Sequence, residues 1–596
     1  MSKETARLQI ERYPLLRTEK IGEMIMRRLT AAVLAALMLM GCCACGGGDT
    51  SSDAEPTGTT GASGSTSSSA AGATTGTTEG GAPGTTENNG QPDATSTTSQ
   101  HTVPTVSVTP PAKERVFKVE DYGAKGDGVT DDGPAIAEAV KAACNDNSVS
   151  KIVQFKANAT YRVLSVPKAN QIYMSVIQII YGENITIQGS NTKLLMKAPC
   201  RVAHFEESTN VKMQGFVIDY SPKPFVAATV TKVDAGQSYI EFYCKEDLGF
   251  TGSLDAPSTY FAFRNRKDER LHYNIRSMEK LSADTYRFHM KDASRVRMAS
   301  VGESFILPVY GSSHNVGGLF GISKVQDFAM KDVTIYAMPD FGFDVRSNLG
   351  STTFTNVRIE PAPGSDVYLA SWRDGFHVKD NFSKLVWDNC YIGPLGDDAF
   401  NLSAVICTVD SINKNTRTVS MIPFEGGSTR EGLAVGDELV AYNLQSGEAI
   451  GEAKVAALVS GGANITVRLD RDLPGLDRGS TIAFYRFNKD YVVKNSYIEG
   501  TVRVRSSGTF ENCRFNVFWV RVENEYWAEG PVPKNVTFRK CTFTTPYAAN
   551  AQIFHVGTNT KDQGMAAYKC KNILLDGCTF QKGTYFAQEG NELIVK

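Results

Sequence analysis

Apolar and polar residues alternate in short runs along most of the chain, and the runs repeat. Trp387-Asp388-Asn389-Cys390-Tyr391-Ile392 returns as Val493-Lys494-Asn495-Ser496-Tyr497-Ile498 and as Phe510-Glu511-Asn512-Cys513-Arg514-Phe515. It returns twice more, as Phe538-Arg539-Lys540-Cys541-Thr542-Phe543 and Leu575-Asp576-Gly577-Cys578-Thr579-Phe580. Looser copies stand at 184–189, 211–218 and 325–330. A period of two is the signature of a strand, and recurrence every few tens of residues is that of a solenoid. Strand-rich units of this kind stack into a parallel β-helix, in which each coil covers its neighbour's apolar edge. In this register Cys390, Cys513, Cys541 and Cys578, with Ser496 in the same place, form a ladder of small inward side chains. Nine cysteines follow residue 112, an odd number that excludes complete pairing, and no Cys/His spacing suggests zinc.

Two intervals are too long for one coil. The residues in excess, about 221–318 and 405–488, open with hairpin patterns at 228–242 and 408–421, each with a polar turn. Both are expected to be small β-barrels inserted into the helix. At the front, the strand beginning at Val116 runs into a Gly/Asp-rich turn. There Asp131 or Asp132 offers an N-cap to a helix over 134–144, whose Ile136, Ala139, Val140 and Ala143 form one apolar stripe. The expected fold class is all-β: a right-handed parallel β-helix with two inserted β-barrel modules and a short N-terminal capping helix.

Patterning of a different kind precedes residue 113. Arg27-Arg28 lead into an apolar run from Leu29 to Met40, shorter than the ~20 residues of a spanning helix, and Gly41-Cys42 follow. Residues 1–45 therefore resemble a bacterial lipoprotein signal region with Cys42 as the lipidated residue. Residues 1–23 stand ahead of it, and Met24 or Met26 offers an alternative start. From 46 to 112 the chain is Gly, Ser, Thr, Ala and Pro with scattered acids, a composition unable to bury a core and expected to act as a disordered tether. The expected location is the bacterial cell surface, with membrane contact only through the lipid. The 62 basic and 64 acidic residues nearly cancel, so no global charge selects nucleic acid as a partner.

The chemistry is concentrated in two stretches, Trp372-Arg373-Asp374-Gly375-Phe376-His377 and Gly396-Asp397-Asp398-Ala399-Phe400-Asn401. Residues one coil apart in a β-helix stack at about 4.8 Å. The 23-residue spacing then sets Asp397 against Asp374, with Asp398 beside them. Crowded carboxylates cannot all ionise easily, so one holds a proton near neutral pH, which gives the acid and base that glycoside hydrolysis needs.

With these motifs, the N-terminal cap and the two insertions, residues 116–596 resemble glycoside hydrolase family 110, the exo-acting α-1,3-galactosidases. The resemblance implies an α-galactosyl glycan as substrate, inversion of configuration, and no cofactor or metal. It also implies Asp397 as general acid, with Asp374 and Asp398 activating water and Asn401 in the site. Polygalacturonases are the nearest rival, but their Asp-Asp is normally followed by Cys, and Gly-His-Gly and Arg-x-Lys motifs come later. Here Ala399 follows and both later motifs are missing. Aligning coils on the small-residue ladder places Arg503 over Asp397, with Trp519 and Arg521 one coil on. These three join His377 and Trp372 as candidate substrate contacts. Glu523 and Glu525 alternate out of the same strand. A polysaccharide lyase and a non-catalytic glycan-binding lipoprotein are the competing classes.

Overall fold

The structure, a computed structural model, describes residues 113–596 apart from positions 172, 259 and 270 and the segments 313–317, 425–431, 460–463 and 561–566. The signal region with Cys42 and the tether therefore lie outside the described residues.

Three parallel sheets wind into a β-helix. The first sheet runs from Glu114–Lys118 to Leu593–Val595 and the second from Asp127–Asp131 to Thr579–Phe580. The third begins at Ser175–Ile180 and passes through Phe343–Arg346, Phe376–Lys379, Asp398–Val405, Tyr497–Val504 and Arg514–Glu525. The repeating sequence unit is the corner between the first two sheets. Its third residue, Asn389, Asn495, Asn512, Lys540 or Gly577, takes φ between 50° and 60° in every copy. Asn and Gly tolerate this left-handed conformation best. The Asn side chains also stack, with Asn495 Nδ2 donating to Asp388 Oδ1 at 2.8 Å and Asn512 Nδ2 to Asn495 Oδ1 at 2.9 Å.

The small-residue ladder lies just past this corner. The Sγ atoms of Cys390, Cys513, Cys541 and Cys578 donate to main-chain carbonyls of the preceding coil at 3.2–3.5 Å, and all nine described cysteines are free. Beneath the third sheet, Phe320, Phe343, Phe376 and Phe400 stack face to face with centroids 4.4–5.3 Å apart. A buried asparagine ladder, Asn348, Asn381 and Asn488, closes the corner back to the first sheet. Asn381 N donates to Asn488 Oδ1 at 3.1 Å and Asn381 Nδ2 to Val345 O at 2.9 Å.

Both insertions are closed six-stranded barrels with cores of their own. One spans Phe225–Asp234 to Ser304–Pro308 and enters where the chain turns from the second sheet to the third. The other spans Cys407–Asn413 to Thr481–Phe484 and leaves from the far end of the third-sheet strand Asp398–Val405. They thus join the third sheet at opposite ends of its strands. The capping helix is Gly133–Asn145. Asp132 holds its N-cap position but makes no side-chain cap bond. Its carboxylate accepts instead from the Lys125 and Gly126 amides, and Asp131 takes the Gly133 amide at 3.2 Å.

Candidate active site

Third-sheet strands turn alternate side chains inward and outward. Phe376 and Val378 enter the core, so His377 and Lys379 face out. The same alternation puts Asn401 and Ser403, Arg503 and Arg505, and Arg521 and Glu523 in two outward rows on successive coils. The acids stand at the corner where these strands begin.

The coil there is 24 residues, not 23: Phe376 pairs with Phe400, and Gly375 N donates to Asp398 O at 2.8 Å. Asp398, rather than Asp397, is therefore the residue stacked on Asp374, and Asp397 occupies the turn. The glycines beside the acids serve close approach rather than a left-handed turn. A Cβ on Gly396 would stand 2.2 Å from the Trp372 carbonyl oxygen, and one on Gly375 would stand 2.9 Å from that of Ala399.

Carboxylate oxygens of Asp374, Asp397 and Asp398 lie within 4.8 Å of one another. Asp374 and Asp398 are buried and Asp397 is half-buried. Burial, reinforced by the negative charges of Asp397 and Asp398, drives Asp374 well above the ordinary carboxyl range against the opposing field of Arg373. The protonated form of Asp374 is thereby favoured. Its Oδ2 is 2.8 Å from His377 Nδ1. Burial and the neighbouring Lys379 charge lower that imidazole to about 4, so it is neutral at physiological pH. Asp398 accepts from Thr501 Oγ1 and faces Arg503 Nε at 2.7 Å. The Asp398 charge in turn raises Arg503 further above its already high range.

Arg503 continues into a second network. Its NH1 is 3.1 Å from Glu525 Oε2, which also meets Arg505, while Arg521 approaches Glu525 Oε1 at 3.9 Å. Glu529 is held by Lys379 at 3.0 Å, Asn401 Nδ2 at 3.2 Å and Arg505 at 3.3 Å. Burial alone would raise the Glu529 carboxyl, but the charges of Arg505, Lys379 and Arg503 outweigh it and keep the group ionised. Arg503, Arg505, Arg521 and Lys379 thus each face a carboxylate.

The structure brings Asp374, Asp397, Asp398, His377, Asn401 and Arg503 together. Arg503 stands over Asn401, not over Asp397, and reaches the acids through Asp398. The ladder alignment misplaces it because eight positions separate Ile392 from Phe400 while only four separate Ile498 from Val502. Trp519 lies one coil beyond Thr501, half-buried, with the Arg521 guanidinium 4.8 Å from its ring centroid. Trp372 is not a sugar contact. It is 1% exposed and packs on Phe225 and Phe263 of the first barrel at 5.5 and 4.9 Å, docking barrel to helix.

Glu525, one of the two glutamates alternating out of the Arg514–Glu525 strand, joins the network, while Lys379, Thr501, Arg505 and Glu529 are members that motif reading missed. The two-residue polar alternation of 377–379, 401–403 and 503–505 contains the signal for Lys379 and Arg505. No local pattern marks Glu529, whose position depends on the antiparallel pairing of Glu529–Gly530 with Ala404–Val405. Arg373, stacked 3.9 Å over Phe341, and Phe341, 4.8 Å from the His377 ring, complete the rim.

This fold and site define a class: a parallel β-helix protein with three converging carboxylates where its third sheet begins. The model of the rhamnogalacturonase A/epimerase, pectate lyase-like family matches residues 116–366, ending just before the acids. No curated protein sequence matches the chain. Among solved structures, the A-module of the Azotobacter vinelandii mannuronan C-5 epimerase AlgE4 is 14% identical. That match covers 80% of this chain and 94% of the module, with a TM-score of 0.36. The endo-xylogalacturonan hydrolase from Aspergillus tubingensis is 11% identical, covering 80% of this chain and 95% of the hydrolase, with a TM-score of 0.33. Geobacillus virus E2 ORF18 is 12% identical over 74% of this chain with a TM-score of 0.30, and this chain spans 60% of its length.

Proposed function

We propose that the protein is an exo-acting glycoside hydrolase that releases terminal α-1,3-linked galactose with inversion, at the surface of a bacterial cell to which Cys42 anchors it. The observation that carries the reading is the differentiation of three adjacent carboxylates. Burial and its neighbours favour the protonated form of Asp374, Asp398 faces the Arg503 guanidinium and accepts from Thr501, and Asp397 is the least buried. Asp397 is accordingly the acid that reaches the glycosidic oxygen, and Asp374 with Asp398 holds the attacking water. The trio shares its proton as one unit.

A neutral hexose suits the cleft because Arg503, Arg505, Arg521 and Lys379 are already matched by carboxylates, leaving little positive field for a uronate. The family match over 116–366 supports a carbohydrate-active β-helix. Inversion rests on the resemblance to family 110. The 4.8 Å limit on oxygen separation is nearer the ~5–5.5 Å of retaining pairs than the ~6.5–9.5 Å of most inverting ones.

The test is galactose release from an α-1,3-linked galactobiose by the full chain and by Asp397→Asn, with NMR of the first anomer formed. Release of β-galactose by the wild type, lost by at least ~100-fold in the variant, is expected. α-Galactose as the first product would convert the mechanism to retention. Binding without release would make the three acids ligand contacts of a glycan-binding protein.

A further inference from the structure

The turn that delivers Glu529 also carries the most exposed of the four tryptophans. Trp372 and Trp387 are core residues and Trp519 is half-buried under Arg521, whereas Trp527 is 50% exposed. Tyr526 stacks on the Trp527 indole at 5.4 Å with 24° between ring planes. An indole this open offers an amphipathic face to a ligand.

Its placement is fixed. Glu529 N donates to Trp527 O at 2.7 Å, closing a tight turn that sends Glu529 in toward Asn401, Lys379 and Arg505 while Trp527 remains at the rim. Both ends of the turn are anchored. Tyr526 N donates to Asn559 O at 3.1 Å, and Glu529–Gly530 pair with Val405–Ala404. Val532 and Ala528 pack into the second barrel's Ile406, Val440, Tyr442 and Ala483. A Cβ on Gly530 would stand 2.8 Å from that of Ala483, so barrel and turn are in direct contact. The second barrel therefore holds the turn rigid before any ligand arrives, which lowers the ordering cost of binding.

We propose that the Tyr526–Glu529 turn is a carbohydrate-recognition element spanning two sugars, a reading that rests on the proposed hydrolase. The Glu529 carboxylate accepts hydroxyls of the sugar held over the acids. The Trp527 ring receives the C–H face of the next sugar, as an amphipathic aromatic side chain at a site mouth can. The anion at Glu529 selects a neutral sugar there, and Trp527 sets a preference for two linked rings over one.

The experiment measures affinity by calorimetry on full-length Asp397→Asn, which binds without turnover, using methyl α-galactoside and α-1,3-linked galactobiose. Trp527→Ala is expected to shrink the ratio of the two affinities about tenfold. Trp527→Phe is expected to restore most of it, and Glu529→Gln to weaken both ligands. A ratio unchanged by Trp527→Ala overturns the proposal. If neither galactoside binds, the galactosidase reading fails separately, and the same variants are titrated with neutral gluco-, manno- and xylo-oligosaccharides. A Trp527-dependent gain on passing from one sugar to two supports the element in that case, and its absence overturns it. Equal melting temperatures establish that the variants are folded.

Discussion

Asp374 is a carboxylic acid placed where a carboxylate is costly, and the pH behaviour of the site follows from that. Burial and two neighbouring acids favour its protonated form in the folded protein alone. Its contribution to stability is full below the unfolded carboxyl pKa and is lost as pH rises through the raised folded value. The kcat of the wild type should fall on the same rising limb, because the trio needs one proton. Asp374→Asn should lower kcat by about 100-fold or more and reshape that limb, as a pH–rate profile would record.

His377 behaves in the opposite sense. Its folded value is depressed from 6.5 to about 4, so stability is present above 6.5 and is lost as pH falls toward 4. The amount is on the order of 3 kcal/mol. Urea midpoints of His377→Gln should therefore be flatter than wild type between those two values. The Arg503 guanidinium supplies to Asp398 the positive charge that a cation would bring to three converging carboxylates. EDTA dialysis is accordingly expected to leave the proposed galactose release unchanged, with wild-type activity before and after dialysis as the measurement.

At the scale of the strand, one residue type builds the sheet and its neighbours build the site. Phe376 is the centre of the inward phenylalanine stack, and His377 is the next residue on the opposite face. Phe376→Ala should cost about 3–5 kcal/mol by denaturant titration, and should reduce activity through the slack it leaves beneath His377.

The same strands explain what could be read in advance. Alternation, the left-handed Asn corners and the small-residue ladder are local, so they appear in sequence and gave the coils, the barrels' opening hairpins and the three acids. Register across a corner is not local. The loop from Gly393 to Asp397 has no counterpart of equal length in the next coil, so ladder alignment displaces Arg503 and sets Asp397 instead of Asp398 against Asp374. Trp372 looked like a sugar contact because no pattern near it records that the first barrel folds back onto it. Glu529 was invisible for the matching reason at the second barrel.

Across the whole molecule, a stacked solenoid gains its stability from contacts between neighbouring coils, and such arrays can open in pieces rather than at once. The cysteine ladder converts this property into something countable. Cys390, Cys513 and Cys541 are buried at separate levels, with Ser496 on the level between the first two, and burial holds the Cys390 thiol up at about 12, leaving almost no thiolate to react. Each thiol is thus a silent tag for its own level. Mass-resolved alkylation through a urea ramp should label them in the order in which the levels separate. Cys578, half-buried at the C-terminal end, is expected first, and Cys390, which lies in the chain between the two insertions, is expected last. Simultaneous labelling of all four would instead mean that the barrels tie the coils into a single cooperative body.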